Sequence, residues 1–136
     1  MKIVLCFAGK TFKGPISELV SDYVKRVARY APTEVIEAKT IKKQEREGIH
    51  VVLSPSGVLM SSEELSAFIQ RQMNLSAKHI FFYTGAPQGH EEEFEKGADL
   101  LLSFSKMTFN HQIIRVMLLE QIYRAFTIIR GEKYHK

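Results

Sequence analysis

Short runs of apolar residues that read as buried strands constrain the fold of this chain more than any other feature of the sequence. A strand buried in a parallel sheet is covered on both faces, so its sequence is apolar throughout instead of alternating. Segments with helical periodicity separate the runs, an order typical of α/β folds. At 136 residues, we expect a single domain built on a five-stranded parallel sheet. The predicted strands are 2–8, 33–38, 49–54, 79–84 and 99–104.

The segments between these runs predict helices with recognisable starts. Pro15 suits the first position of a helix whose apolar face continues to Tyr30. Ser61 and Glu64 have the spacing of a capping box, which starts a second helix. A short acidic helix is predicted over 90–96 and a long one over 112–130. The charged connection 40–48 is too short for a full crossover helix, and Pro55-Ser56-Gly57 predicts a turn after the third strand.

The predicted final helix, 112–130, is apolar nearly all round. A surface helix of a monomer normally keeps a polar face, so a helix without one must be buried on two sides. In so small a domain, a second subunit most easily covers the second side. The sequence therefore predicts a homodimer.

Composition excludes several classes of protein. No stretch approaches the ~20 apolar residues of a membrane span, and no signal-peptide pattern opens the chain, so we expect a cytoplasmic protein. The lone Cys6 excludes an internal disulfide and a cysteine-based zinc site, and no His, Asp or Glu spacing predicts another metal site. The net charge of +4 is compatible with a nucleic-acid partner without requiring one.

Three small or polar loops follow predicted parallel strands and should converge at one edge of the sheet. They contain residues 54–57, 85–89 and 105–109. Gly85 and Gly89 allow the backbone to approach a ligand closely, although the loop is neither a Walker loop nor a dinucleotide fingerprint. A pocket of this kind suits an adenine nucleoside, with Leu53, Met107 and Phe109 as apolar walls.

The chain ends on Tyr134-His135-Lys136, an aromatic ring, an imidazole and a cation, which suggests a tail that belongs to a site. We expect this tail to act on substrate and to contribute little to folding. His111 alone is best interpreted as a cap or surface residue. Arginines on the apolar final helix more often pair with a carboxylate such as Glu120 than bind substrate.

The C-terminal segment SFSKMTFNHQIIRVMLLEQIYRAF, ending in YHK, closely resembles the bacterial large-subunit ribosomal RNA methyltransferase H family. The starting segment MKIVLCFAGK, the segment VVLSPSG and the glycine loop extend the resemblance over the whole chain. The members are small SPOUT-class methyltransferases. The resemblance implies a homodimer with a C-terminal trefoil knot and S-adenosylmethionine as methyl donor. It also implies methylation of N3 of a pseudouridine in the large-subunit (23S) ribosomal RNA hairpin that faces the decoding site, in assembled ribosomes.

The same resemblance implies roles for individual residues. Matched cofactor contacts are Leu53, Gly85, Ala86, Phe104, Ser105, Lys106, Met107, Thr108 and Phe109. Matched catalytic or substrate-side residues are His111, Arg115, Arg124, Tyr134 and His135. The chain departs from the family pattern at Ala86, at Asn110 and in its short connection after the second strand. Two alternatives therefore stay open: a SPOUT enzyme acting on tRNA, and a non-catalytic RNA-binding dimer.

Overall fold

The structure, a computed structural model, describes residues 1–85 and 89–135. Strands and helices alternate along most of the chain, as the sequence predicts. The strands are β1 (Lys2–Ala8), β2 (Thr33–Ala38), β3 (Ile49–Leu59), β4 (His79–Thr84) and β5 (Leu100–Ser103). The helices are α1 (Pro15–Ala28), α2 (Ser62–Asn74), α3 (Glu92–Lys96) and α4 (Ile113–Ile129).

The five strands form one sheet in the order β2-β1-β4-β3-β5, and every pair is parallel. The predicted bounds of β1, β2 and β4 are confirmed. Strand β4 lies at the centre of the sheet, and its residues 80–83 are fully buried. The carboxyl ends of β3, β4 and β5 meet at one edge, so the loops that follow them lie together.

Strand β3 is longer than predicted. Leu53 and Val58 both align with Leu102 of β5, so the residues between them bulge out and the chain then rejoins the sheet. The prediction that β3 ends before Pro55-Ser56-Gly57 is therefore wrong, because these turn residues form a bulge inside the strand. At Gly57 a Cβ atom would lie 2.6 Å from the Leu101 carbonyl oxygen, so only glycine allows this close crossing.

One face of the sheet carries the main core and is covered by α1, α2 and α4. The capping box of α2 is confirmed: the Glu64 amide donates to Ser61 Oγ at 3.0 Å, and the Ser61 amide donates to Glu64 Oε1 at 2.9 Å. Helix α4 packs against both α1 and α2, and Leu118 and Ile122 are fully buried within a single chain. Its opposite side, including Ile113 and Met117, borders an open groove.

The other face of the sheet is covered thinly. Its buried residues Val4, Cys6, Val52, Phe81 and Tyr83 are covered by the connection between β2 and β3 and by residues of the α3 region. The connection contains no helix, as predicted. The Tyr83 hydroxyl holds it down by accepting the Gln44 amide at 3.0 Å, and the same hydroxyl lies 2.8 Å from His50 Nδ1.

Among the described residues, no helix is long and apolar enough to cross a membrane. Within the same residues, no group of three or more His, Cys, Asp or Glu side chains is placed to hold a metal ion.

Candidate active site

A cavity of about 280 Å³ lies at the carboxyl ends of β3, β4 and β5, beside the start of α4. This is the edge at which open parallel sheets hold their ligands. The predicted cofactor residues on its wall are Leu53, Gly85, Phe104, Ser105, Met107, Thr108 and Phe109. Lys106 is exposed and is not part of the wall, and Ala86 lies outside the described residues. The three loops predicted to converge therefore do so.

The loop after β5 is shaped by its own serines. Ser103 Oγ donates to the Ser105 carbonyl at 2.8 Å, and Ser105 Oγ accepts the Met107 amide at 3.0 Å. Short side-chain bonds of this kind fix a turn without a helix or a strand. They present the Met107 side chain, which is 74% exposed, at the cavity wall.

The wall at the end of β4 leaves little room for a side chain at position 85. A Cβ atom on Gly85 would lie 3.2 Å from the Gly89 backbone and 3.3 Å from His90 Nε2. Gly89 has a φ of 81°, in the left-handed region that favours glycine. Because of these two glycines, bare backbone forms this part of the wall.

Two buried polar atoms on the cavity wall have no hydrogen-bond partner among the described residues. They are Thr84 Oγ1 and His90 Nε2, and Thr84 is only 1% exposed. Buried polar atoms in native proteins are nearly always paired, so each exception needs an explanation. A ligand in the cavity would supply the missing partners. Neither residue was a predicted site residue, because sequence patterns do not show which side chains lack partners.

The tail is bound to the helices instead of fraying. The Tyr134 ring meets the Tyr123 ring edge-on with centroids 4.7 Å apart, and the Arg124 guanidinium lies 4.9 Å from the Tyr134 ring centre. The Tyr134 hydroxyl lies 3.2 Å from the Tyr23 hydroxyl and donates to Glu120 at 3.3 Å. Burial raises the pKa of Tyr134, so the phenol keeps its proton. These contacts argue against the expectation that the tail contributes little to folding.

Arg124 lies at the centre of this cluster, which we call the tail cluster: Glu63, Glu120, Arg124, Tyr134 and His135. The Arg124 guanidinium donates to Glu120 Oε1 through Nε at 2.9 Å and Nη2 at 2.6 Å, and this hydrogen bonding raises its pKa. The predicted pairing of a helix arginine with Glu120 is thus confirmed for Arg124. The two residues are four apart on α4, a spacing that places side chains side by side.

The contacts of His135 indicate its tautomer. Arginine has only donors, so His135 Nδ1 accepts from Arg124 Nη1, at 3.0 Å. Its other nitrogen, Nε2, faces Glu63 at 2.5 Å and carries the proton. The Nδ1 lone pair of His135 is therefore occupied by Arg124 in this arrangement.

Arg115 is placed differently from the other predicted substrate-side residues. Its side chain is fully buried, donates to the Ala8 carbonyl at 2.6 Å and to Thr11 Oγ1 at 3.0 Å, and lies over the Phe7 ring. Burial lowers the pKa of Arg115, while Glu37, 3.7 Å away, opposes that shift. With no exposed surface in this chain, Arg115 is bound to the loop after β1.

His111 lies at the edge of the cavity, where its ring meets the Phe12 ring at 5.8 Å. The neighbouring Gln112 bridges to the loop after β1, since its side chain accepts the Phe12 amide at 2.8 Å and donates to the Lys10 carbonyl at 3.1 Å. His111 thus joins the cavity, whereas Arg124, Tyr134 and His135 are not on its wall. Within one chain, the cavity and the tail cluster are separate.

Comparison with known proteins identifies the family of this chain. The family model described as "Predicted SPOUT methyltransferase" matches residues 1–135. The chain belongs to the SPOUT methyltransferase family. It is 41% identical over 139 residues to the ribosomal RNA large subunit methyltransferase H of Coprothermobacter proteolyticus, with all of both chains covered. The proteins of that name from Geobacter sulfurreducens and Christiangramia forsetii are 36% and 37% identical, with 99% of each chain covered. The predicted family is therefore confirmed.

A solved structure shares the fold of this chain without close sequence similarity. It is described as a probable methylase family protein from Haemophilus influenzae Rd KW20, and it matches with a TM-score of 0.60 at 8% identity. The match covers 96% of this SPOUT chain and 66% of that chain. At so low an identity, the likeness concerns the fold alone.

Proposed function

We propose that this protein is an S-adenosylmethionine-dependent methyltransferase that acts in the cytoplasm on large-subunit (23S) ribosomal RNA in assembled ribosomes. The target is N3 of a pseudouridine in the hairpin that faces the decoding site. The observation that carries the proposal is the similarity, over the whole chain, to proteins named ribosomal RNA large subunit methyltransferase H. The cavity at the strand ends supports it, because this is where a SPOUT chain of this topology could hold a nucleoside ligand.

The residues of the cavity fit the cofactor. Backbone atoms of Gly85 and of residues 104–109 can contact the adenine edge, and Leu53 and Phe109 provide apolar walls. The unpaired polar atoms of Thr84 and His90 can form hydrogen bonds with a ligand. Lys106 and Ala86 remain proposed contacts, because they precede or follow residues of this wall in sequence. When bound, the cofactor supplies an electrophilic methyl group on a sulfonium.

The chain's own contribution to catalysis is alignment and proton handling. The proton on the uracil N3 must leave, and His135 or His111 is the proposed acceptor. Arg124 can stabilise the negative charge that develops on the ring, and Tyr134 can stack on the base. His135 can act as a base only after Arg124 releases its Nδ1 atom, for example when Arg124 turns to the substrate.

The active site is proposed to form between two subunits of a homodimer, with the cavity of one chain facing the tail cluster of the other. In a single chain the two are separate, although the cavity adjoins a groove at Leu102 and Phe104. This groove, about 650 Å³ between α1, α2 and α4, also reaches Glu120 of the tail cluster. We further propose that the C-terminal segment forms the trefoil knot typical of the family.

The dimer is tested by introducing a charge in the groove. Leu118 and Ile122 are unsuitable because they are buried within the chain, so a charge there would unfold the monomer. Met117→Glu places the charge on the groove wall, and Leu75→Glu, at a position 67% exposed and outside the groove, is the control. Light scattering should show a monomer only for Met117→Glu, and a monomeric parent protein would refute the dimer.

The reaction is tested by mapping methylated nucleotides in RNA from a strain that lacks the gene and carries this chain instead. Methyl at pseudouridine N3 in the 23S hairpin supports the proposal. Methyl groups in tRNA would favour a SPOUT enzyme that acts on tRNA, and the absence of methylation would favour a non-catalytic RNA-binding dimer. Calorimetry with S-adenosylmethionine separates these two alternatives. Gly85→Ala should weaken the binding of S-adenosylmethionine at least tenfold by filling the wall. The matched control is Gly97→Ala, where a Cβ would meet only ordinary contacts at 3.7 Å.

A further inference from the structure

The end of β4 carries two polar side chains that the proposed chemistry does not use. Thr84 is the last residue of β4, and His90 directly follows Gly89. Both line the cavity, and both have a buried polar atom without a partner among the described residues. Leaving a buried polar group unpaired destabilises a protein by its whole desolvation cost, so such a pair is expected where a ligand completes it.

We propose that Thr84 and His90 recognise the ribose of the cofactor by hydrogen bonds from Thr84 Oγ1 and His90 Nε2 to its hydroxyl groups. This inference rests on the proposed function, since it assigns a role at the same cavity. It adds two specificity-determining side chains to a wall that otherwise reads the cofactor through backbone atoms.

The chemistry of the two groups favours the ribose over the other parts of the cofactor. Burial lowers the pKa of His90, against an opposing effect of Glu95, so the imidazole is neutral. A neutral imidazole nitrogen and a hydroxyl pair best with groups that both donate and accept, which describes the two ribose hydroxyls. The charged methionine end calls for a charged partner, and Glu95 lies on the same wall.

The surrounding packing holds the His90 side chain in place. The His90 ring stacks on the Phe94 ring, with centroids 4.9 Å apart and planes 10° apart. A Cβ atom at position 85 would lie 3.3 Å from His90 Nε2, so the glycine at this position keeps the space beside the nitrogen open. A group fixed in this way loses little conformational entropy when the ligand binds.

The test separates recognition from stability with two near-isosteric variants. Thr84→Val removes the hydroxyl and keeps the shape, and His90→Phe removes the nitrogens and keeps a ring on Phe94. The control is Thr127→Val, because Thr127 is also fully buried but its hydroxyl donates to the Arg124 carbonyl at 2.6 Å. Calorimetry measures the affinity of each folded variant for S-adenosylhomocysteine, and thermal unfolding without ligand measures its stability.

We expect Thr84→Val and His90→Phe to bind S-adenosylhomocysteine about tenfold more weakly, the equivalent of about 1.4 kcal/mol each. Thr84→Val should melt at the same or a higher temperature than the parent, because an unpaired buried hydroxyl is removed. Thr127→Val should melt lower and keep its affinity. Unchanged affinity of the first two variants, or a lower melting temperature of Thr84→Val, would overturn the proposal.

The ribose assignment is tested with the 2′,3′-dideoxy analogue of S-adenosylhomocysteine. The parent should lose affinity for the analogue, and the two variants should bind it as the parent does. A tenfold difference that persists with the analogue would mean that the side chains contact another part of the cofactor, and the inference would fail. The proposed function would survive that result, since it falls only if the parent protein binds no cofactor or methylates no ribosomal RNA.

Discussion

Replacing Tyr134 with alanine tests whether the tail contributes to stability as its contacts indicate. The edge-to-face pair with Tyr123 contributes about 0.5–1.5 kcal/mol beyond its buried area, and the Arg124 guanidinium over the ring contributes about 0.5–1 kcal/mol. The hydroxyl contacts with Tyr23 and Glu120, at 3.2 and 3.3 Å, are long and add less. Tyr134→Ala should therefore lower the free energy of unfolding by about 2 kcal/mol.

Tyr134→Phe keeps the ring and removes only the hydroxyl, so its cost should stay below about 1 kcal/mol. Urea denaturation followed by circular dichroism measures both variants at a fixed protein concentration. An alanine variant as stable as the parent would refute the docking of the tail. Methylation must then be assayed well below the melting temperature of the weakest variant, so that lost activity reports on substrate and not on unfolding.

Three further predictions follow from buried groups. Tyr83→Phe should lower the free energy of unfolding by about 2 kcal/mol, because the Tyr83 hydroxyl contacts both the Gln44 amide and His50. In the same urea experiment Tyr30→Phe should lower it less, because the Tyr30 hydroxyl donates to the exposed Glu132. Burial lowers the pKa of His50 and His90 below 6.5, so just below that pH the unfolded chain binds more protons than the folded chain. The free energy of unfolding should therefore fall as the pH drops through about 6.5. His50→Gln should make this dependence on pH less steep. Burial raises the pKa of Cys6 to about 12, so a thiol reagent should modify it only in denaturant; rapid labelling of native protein would contradict its burial.

The sequence predicted the strands well where burial alone defines them. The apolar runs of β1 and β4 begin and end at the predicted residues, because nearly every residue of these two strands is buried. The bounds of β2 also match the prediction, although β2 lies at the edge of the sheet and is only partly buried. The end of β3 was missed because Pro55 and Gly57 indicate a local bend but not that the chain returns to pair with β5. The strand order was likewise not predictable, since a short apolar run does not specify which strand pairs with it.

In the candidate site, too, one part was predicted from the sequence and another was not. The cavity wall was largely predicted, because strand-end loops of a parallel sheet converge whatever their sequence. The long-range contacts of the tail cluster were not predicted, since Tyr134 depends on Tyr23 and His135 on Glu63, partners 111 and 72 residues away along the chain. The contacts of Arg115 were missed for a related reason: the helix pattern gives its position on α4 but not the Ala8 carbonyl to which it donates.

Some buried polar atoms of this fold depart from the rule that buried polar groups form hydrogen bonds. Three buried side-chain atoms of the described residues lack partners: Thr84 Oγ1, His90 Nε2 and Arg115 Nε. Arg115 has other donors that are satisfied, so its remaining nitrogen costs little. Thr84 has a single hydroxyl, and a valine would fill the same space at the end of β4 without that cost. The proposed contact with the cofactor ribose accounts for a threonine at this position, for which the described residues of the free chain supply no partner.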